Sequence, residues 1–188
     1  MKLRLLLFTV LILSLGYHAS SQNKKLDKAL GKIKKSYATG DFPSATAALK
    51  KFKPEAEKQG VPNPYLIEYY LLDVKISHAT GMLMTLDENI QKLLDFSREL
   101  YGETSSSYPE ILIEVSELYL EYGNYRLALD YLTKAEQLLK KAEKMNEALD
   151  ARITVGRAEA MIGQGFITKA IQLLQEVETY YEKRAVDK

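Results

Sequence analysis

Chemistry in this chain would have to come from histidine, carboxylates or glycine-rich turns, since its 188 residues include no cysteine. Thiol nucleophiles, thiolate metal ligands, disulfides and a lipid-bearing cysteine are excluded. Two histidines occur. His18 lies in an N-terminal stretch expected to be removed. His78 is then the one residue around which a Ser-His-Asp arrangement could be assembled, and a histidine-rich metal site cannot be built. Gly163-x-Gly165 is a fragment of a phosphate-binding loop, but it lacks the third glycine and a preceding strand, and reads as the turn that ends a helix. Glu110, Glu114, Glu117 and Glu121 fall three or four residues apart on one helix face. Carboxylates so placed act as acid and base only when burial separates their pKa values; otherwise the pattern is a solvated charged stripe. No catalytic residue, cofactor or metal is therefore expected, and the chain is read as a non-enzyme.

The elements that must position these residues are helices. Glycines stand at 40, 81, 123 and 165, at intervals of 41, 42 and 42 residues, and each ends a helically periodic stretch. A left-handed residue closing a helix is most cheaply glycine, and an interval of this size marks a repeat. Ten residues before each glycine sit Leu30, Leu71, Ile113 and Val155; three before sit Tyr37, His78, Leu120 and Ile162. Seven residues separate the two columns, which places them on one helix face. Ala45, Ala128 and Ala170 follow their glycines by five, where a small side chain lets the second helix of a pair press on the first. The second unit departs from this rule, with a longer turn from Met82 and Asp87 as the expected helix start.

Eight helices are expected, over 23–38, 42–58, 63–80, 87–101, 106–122, 125–143, 146–163 and 167–184, without strand signals. Pro54, Pro62 and Pro64 are read as the break between the first and second pairs, and the stretch 102–109 as that between the second and third. The pairs occupy about 23–60, 61–104, 105–145 and 146–188 of one continuous domain, residues 22–188.

Ahead of them, residues 1–21 have the layout of a cleavable signal peptide: Lys2 and Arg4, an apolar run, then Ala19 and Ser21 before a cut at Gln22. The run is shorter than the ~20 residues that span a bilayer. A periplasmic or secreted protein without a membrane span in its mature form is expected. Residues 22–60 carry ten lysines against four acids, and residues 61–188 carry 14 basic residues against 21 acids. The bland reading is that lysines solvate the first pair; the alternative is a dipole that steers a partner or favours self-association. The basic stretch lacks the arginine, glycine and aromatic interleaving of a nucleic-acid binder.

The third pair, VSELYLEYGNYRLALDYLTKAEQL over 115–138, resembles the tetratricopeptide repeat, with Ser116, Tyr119, Gly123, Tyr125, Ala128, Leu132 and Ala135 at consensus positions. Its lead-in, Leu100-Tyr101-Gly102 to Tyr108-Pro109, is similar to the 42-residue variety found in kinesin light chains and many bacterial signalling proteins. The first unit keeps Gly40, Phe42, Ala45 and Leu49 but has Phe52 for the last alanine. The fourth keeps Ala158, Gly165, Ala170 and Leu174, and the second is a diverged copy.

The resemblance implies an exported bacterial, all-α, right-handed superhelix of four helix pairs whose first helices line a concave groove for a protein or peptide partner. Family binding positions carried onto this chain are Leu30, Lys34 and Tyr37 with Asp27; Leu71, Lys75 and His78 with Glu68; Ile113, Glu117 and Leu120 with Glu110; Val155, Glu159 and Ile162 with Arg152. Lys34 and Lys75 would make one stretch basic, Glu117 and Glu159 another acidic. Ile113 and Glu114 stand where the family's asparagine clamps would be, so neither known clamp is expected. The apolar column either anchors an amphipathic segment or packs neighbouring helices. A scaffold that binds a peptide or helix of a partner is the expected function, with the sensory region of a larger kinase or caspase-like protease as the alternative.

Overall fold

A computed structural model describes residues 23–141 and 146–186; the expected leader and its cut lie outside them. Among the described residues the fold is all-helical, with eight helices and no strand. They are α1 (residues 23–38), α2 (Phe42–Glu57), α3 (Pro64–Thr80), α4 (Leu86–Tyr101), α5 (Ser107–Glu121), α6 (Tyr125–Leu139), α7 (Glu147–Gly163) and α8 (Ile167–Val186). The chain divides into two compact units between Leu86 and Asp87, at the end of the long turn after Gly81. None of the described helices is long and apolar enough to cross a membrane.

The four spaced glycines end their helices in one way. Gly40, Gly81, Gly123 and Gly165 have φ of 74, 71, 71 and 85°. The next residue's N–H then reaches back five residues: Asp41 to Ser36 and Met82 to Ser77 at 2.9 Å, Asn124 to Tyr119 at 2.9 Å, Phe166 to Met161 at 2.8 Å. This closure satisfies carbonyls that a helix end leaves bare. After Gly40 and Gly123 the following residue also caps the next helix, Asp41 accepting from the Ser44 N–H at 3.2 Å and Asn124 from the Leu127 N–H at 3.3 Å. Met82 has no such oxygen. Its turn runs on to Leu86 before α4 begins.

In the first unit, α2 buries Ala45, Leu49, Phe52 and Ala56, a 4-3-4 spacing that makes one stripe, against which α3 packs. Leu26 and Ile33 of α1 and Leu66, Ile67 and Val74 of α3 complete that core. Pro54 corrects one expectation: it lies inside α2 rather than breaking the chain. Only one turn remains after it, so little of the helical ladder is lost. The break comes at residues 58–63, where Asn63 is buried. Its side-chain amide donates to the Ala56 carbonyl at 3.0 Å and to that of Gly60, while its oxygen accepts from the Tyr65 and Leu66 N–H groups at 2.9 and 3.1 Å.

In the second unit, α6 repeats the stripe with Ala128, Leu132, Ala135 and Leu139. It packs on α5 and α7, α7 packs on α8, and the first helices α5 and α7 also touch. Ala128 and Ala170 are fully buried, as Ala45 is in the first unit. Tyr119 and Tyr131 stack with ring centroids 5.6 Å apart, and Asp87 bonds the Tyr119 hydroxyl. Burial foremost, then Tyr131 and Asp87, pushes the Tyr119 phenol up to about 12.

Candidate binding cleft of the second unit

The first helices α5 and α7 run side by side, and between them opens a cleft of about 720 Å³. Glu117, Leu120 and Glu121 of α5 form one wall; Arg152, Val155, Glu159 and Ile162 of α7 form the other. Tyr125 and Leu132 of α6 make the floor. Depth comes from two glycines of α7. A Cβ on Gly156 would stand 3.0 Å from Leu132 Cδ1, and one on Gly163 would enter the Tyr125 ring. Gly163 is thus the seat of Tyr125, whereas Gly165 is the helix-ending turn the sequence indicated.

Arg152 is the electrostatic centre of this cleft. Its Nη2 donates to both Glu117 oxygens at 2.8 and 2.9 Å and to Glu114 Oε1 at 3.1 Å; its Nε donates to Glu117 Oε1 at 3.1 Å. Glu110 lies 3.8 Å from Nη1. Burial works against the guanidinium charge, but Glu117 and Glu114 outweigh it and raise the pKa. The forked donor set of arginine suits this bidentate clasp. The carboxylate stripe on α5 is therefore an anchor between two helix pairs. On the far side of α7, Arg157 Nη2 donates to Glu136 of α6 at 2.7 Å.

Five of the expected groove residues, Glu117, Leu120, Val155, Glu159 and Ile162, come together in the cleft. Val155 and Ile162 are 46% and 49% exposed, one turn pair apart on α7. Ile113 does not join them. It is fully buried, because its turn of α5 faces other helices, and it serves packing. The six first-unit residues form no part of this cleft. Lys34 pairs with Glu68 at 2.8 Å, and Tyr65 donates to Asp27 at 2.9 Å, so α1 and α3 are joined by charge as α5 and α7 are. The expected basic stretch is thereby neutralised at Lys34. Tyr37 sits against Phe42, ring centroids 6.0 Å apart; Leu30, Leu71, Lys75 and His78 are half-buried.

Tyr125, Gly156 and Gly163 were missed as cleft residues. An isolated glycine within a helical pattern, such as Gly156, signals close packing and was the available clue. Among the described residues no cluster of three or more histidines and carboxylates is placed to hold a metal. Compared with protein-family models, curated proteins and solved structures, the chain matches none.

Proposed function

We propose that the chain is an exported scaffold of the tetratricopeptide-repeat type, and that the cleft between α5 and α7 binds a segment of a partner protein bearing apolar and basic side chains. The observation that carries this reading is the pair Val155 and Ile162, half exposed on the cleft wall beside carboxylates. Apolar side chains left in water at helical spacing fit an amphipathic ligand. The cleft lining holds Glu117, Glu121 and Glu159 against Arg152 alone, so its net charge favours a cation. The repeat type is supported by the 42-residue interval, the common helix closure and the buried alanines. Carboxylates spent on Arg152 fit a binding role better than catalysis.

Labelled helical peptides of leucine with lysine, or of leucine with glutamate, test the cleft by fluorescence anisotropy. Basic peptides are expected to bind, and Val155→Asn with Ile162→Asn to weaken them about tenfold or more, a loss of roughly 1.4 kcal/mol. Equal binding of both peptide classes, or indifference to the double substitution, would refute the reading. Export rests on the leader's composition. Mass spectrometry of the secreted or periplasmic protein is expected to find Gln22 first, and a retained Met1 would count against export.

A further inference from the structure

The contact that joins one helix pair to the next in the second unit recurs, uncovered, on α8. Between α6 and α7, Leu132 is fully buried against Gly156, and Arg157 reaches Glu136. The 42-residue interval carries Tyr125, Leu129, Leu132 and Glu136 of α6 onto Ile167, Ile171, Leu174 and Glu178 of α8. There the three apolar residues are 56%, 49% and 37% exposed, and Glu178 is exposed too. The surface with which α6 receives a helix is thus presented again by α8 to water.

The helix it would receive has a recognisable chemistry. Opposite the leucine it needs a residue without a side chain, and one position later a cation that reaches the glutamate. α1 has both at the α7 register: Gly31 precedes Gly40 by nine residues, as Gly156 precedes Gly165, and Lys32 follows it as Arg157 follows Gly156. A Cβ built on Gly31 meets nothing within 4 Å, so this seat is open. Lys24, Lys28 and Lys35 on the same side of α1 are exposed, and Glu182 extends the acidic edge of α8.

We propose that α8 of one copy of this chain receives α1 of a second copy, with Leu174 on Gly31 and Lys32 paired to Glu178. Where α7 buries Leu149, Ile153 and Ala160, α1 offers Lys24, Lys28 and Lys35. Their methylene stems cover the isoleucines while their heads reach carboxylates or water. The junction between copies is accordingly more ionic than the internal one, weaker, and loosened by salt. It joins two different faces, so each copy keeps one face available for another.

Sedimentation velocity on the chain from Gln22 onward tests this. At low salt the sedimentation coefficient is expected to rise with concentration toward the millimolar range, and to fall back in high salt. Ile171→Glu should abolish the rise. Lys32→Glu and Glu178→Lys should each weaken association about tenfold or more, with circular dichroism confirming that both variants fold. Mixed in equal amounts, the two variants restore every opposite-charge contact and should associate again. A monomer at all concentrations overturns the proposal. Association that neither charge variant alters also overturns it, since a second copy would then use another surface, such as α8 against α8.

Discussion

Arg152 governs how much of the cleft's acidity reaches a ligand, because three carboxylates of α5 converge on its one guanidinium. The stripe of glutamates was legible in the sequence, but its partner was not: Arg152 lies 35 residues beyond Glu117, and only the stacking of α7 on α5 brings them together. Gly156 is the steric counterpart. Leu132, fully buried beneath it, has little room to give. Gly156→Val is expected to destabilise the protein by about 1–3 kcal/mol through overpacking, measurable by urea denaturation. Glu136 makes a prediction about acid. Its hydrogen bond to Arg157, then that to Lys140, lowers its carboxyl from the ordinary 4.5. A depressed folded-state pKa gives stability that is present above 4.5 and is lost as pH falls through the folded value. Thermal melts of Glu136→Gln should lie below those of the parent at neutral pH and converge with them on acidification. A constant gap would show that the charge is not what matters.

At the scale of helices, ends decide the architecture, and their legibility tracks how local the determinant is. The closing glycines were visible because a positive φ within one residue demands them. Pro54 misled because a proline near a helix end costs little when few turns follow. The first boundary depends on Asn63, whose four hydrogen bonds tie the end of α2 to the start of α3. No sequence pattern announces such a buried link between two helices. Asn63→Ala removes a cap and the side-chain tie from α3 back to the end of α2, so a loss of about 1–2 kcal/mol is expected. Asn63→Asp keeps the acceptor for Tyr65 and Leu66 but lacks the amide donor. It should recover only part of the loss, and full recovery would show that the bonds to Ala56 and Gly60 contribute nothing.

Over the whole molecule, the sequence conveyed helices, pairing and the column of α7 residues that lines the cleft, since these follow from periodicity and spacing. It did not convey the division between Leu86 and Asp87, at the end of the long turn that follows Gly81. Nor did it separate Ile113 from Val155, two residues of one column with opposite burial. That difference depends on what lies across from each turn.

The equal closure of Gly123 and Gly165 means that chain length is itself a variable. Residues 124–165 begin just after one such turn and end on the next, so a second copy of this segment can be inserted after Gly165 with every junction kept in register. The longer protein is expected to add helical ellipticity in proportion to the inserted residues and to melt at a higher temperature, because each added unit brings another interface. An inserted segment that stays unstructured, or lowers the melting point, would show that α6 and α7 are fitted to their present neighbours and are not interchangeable modules.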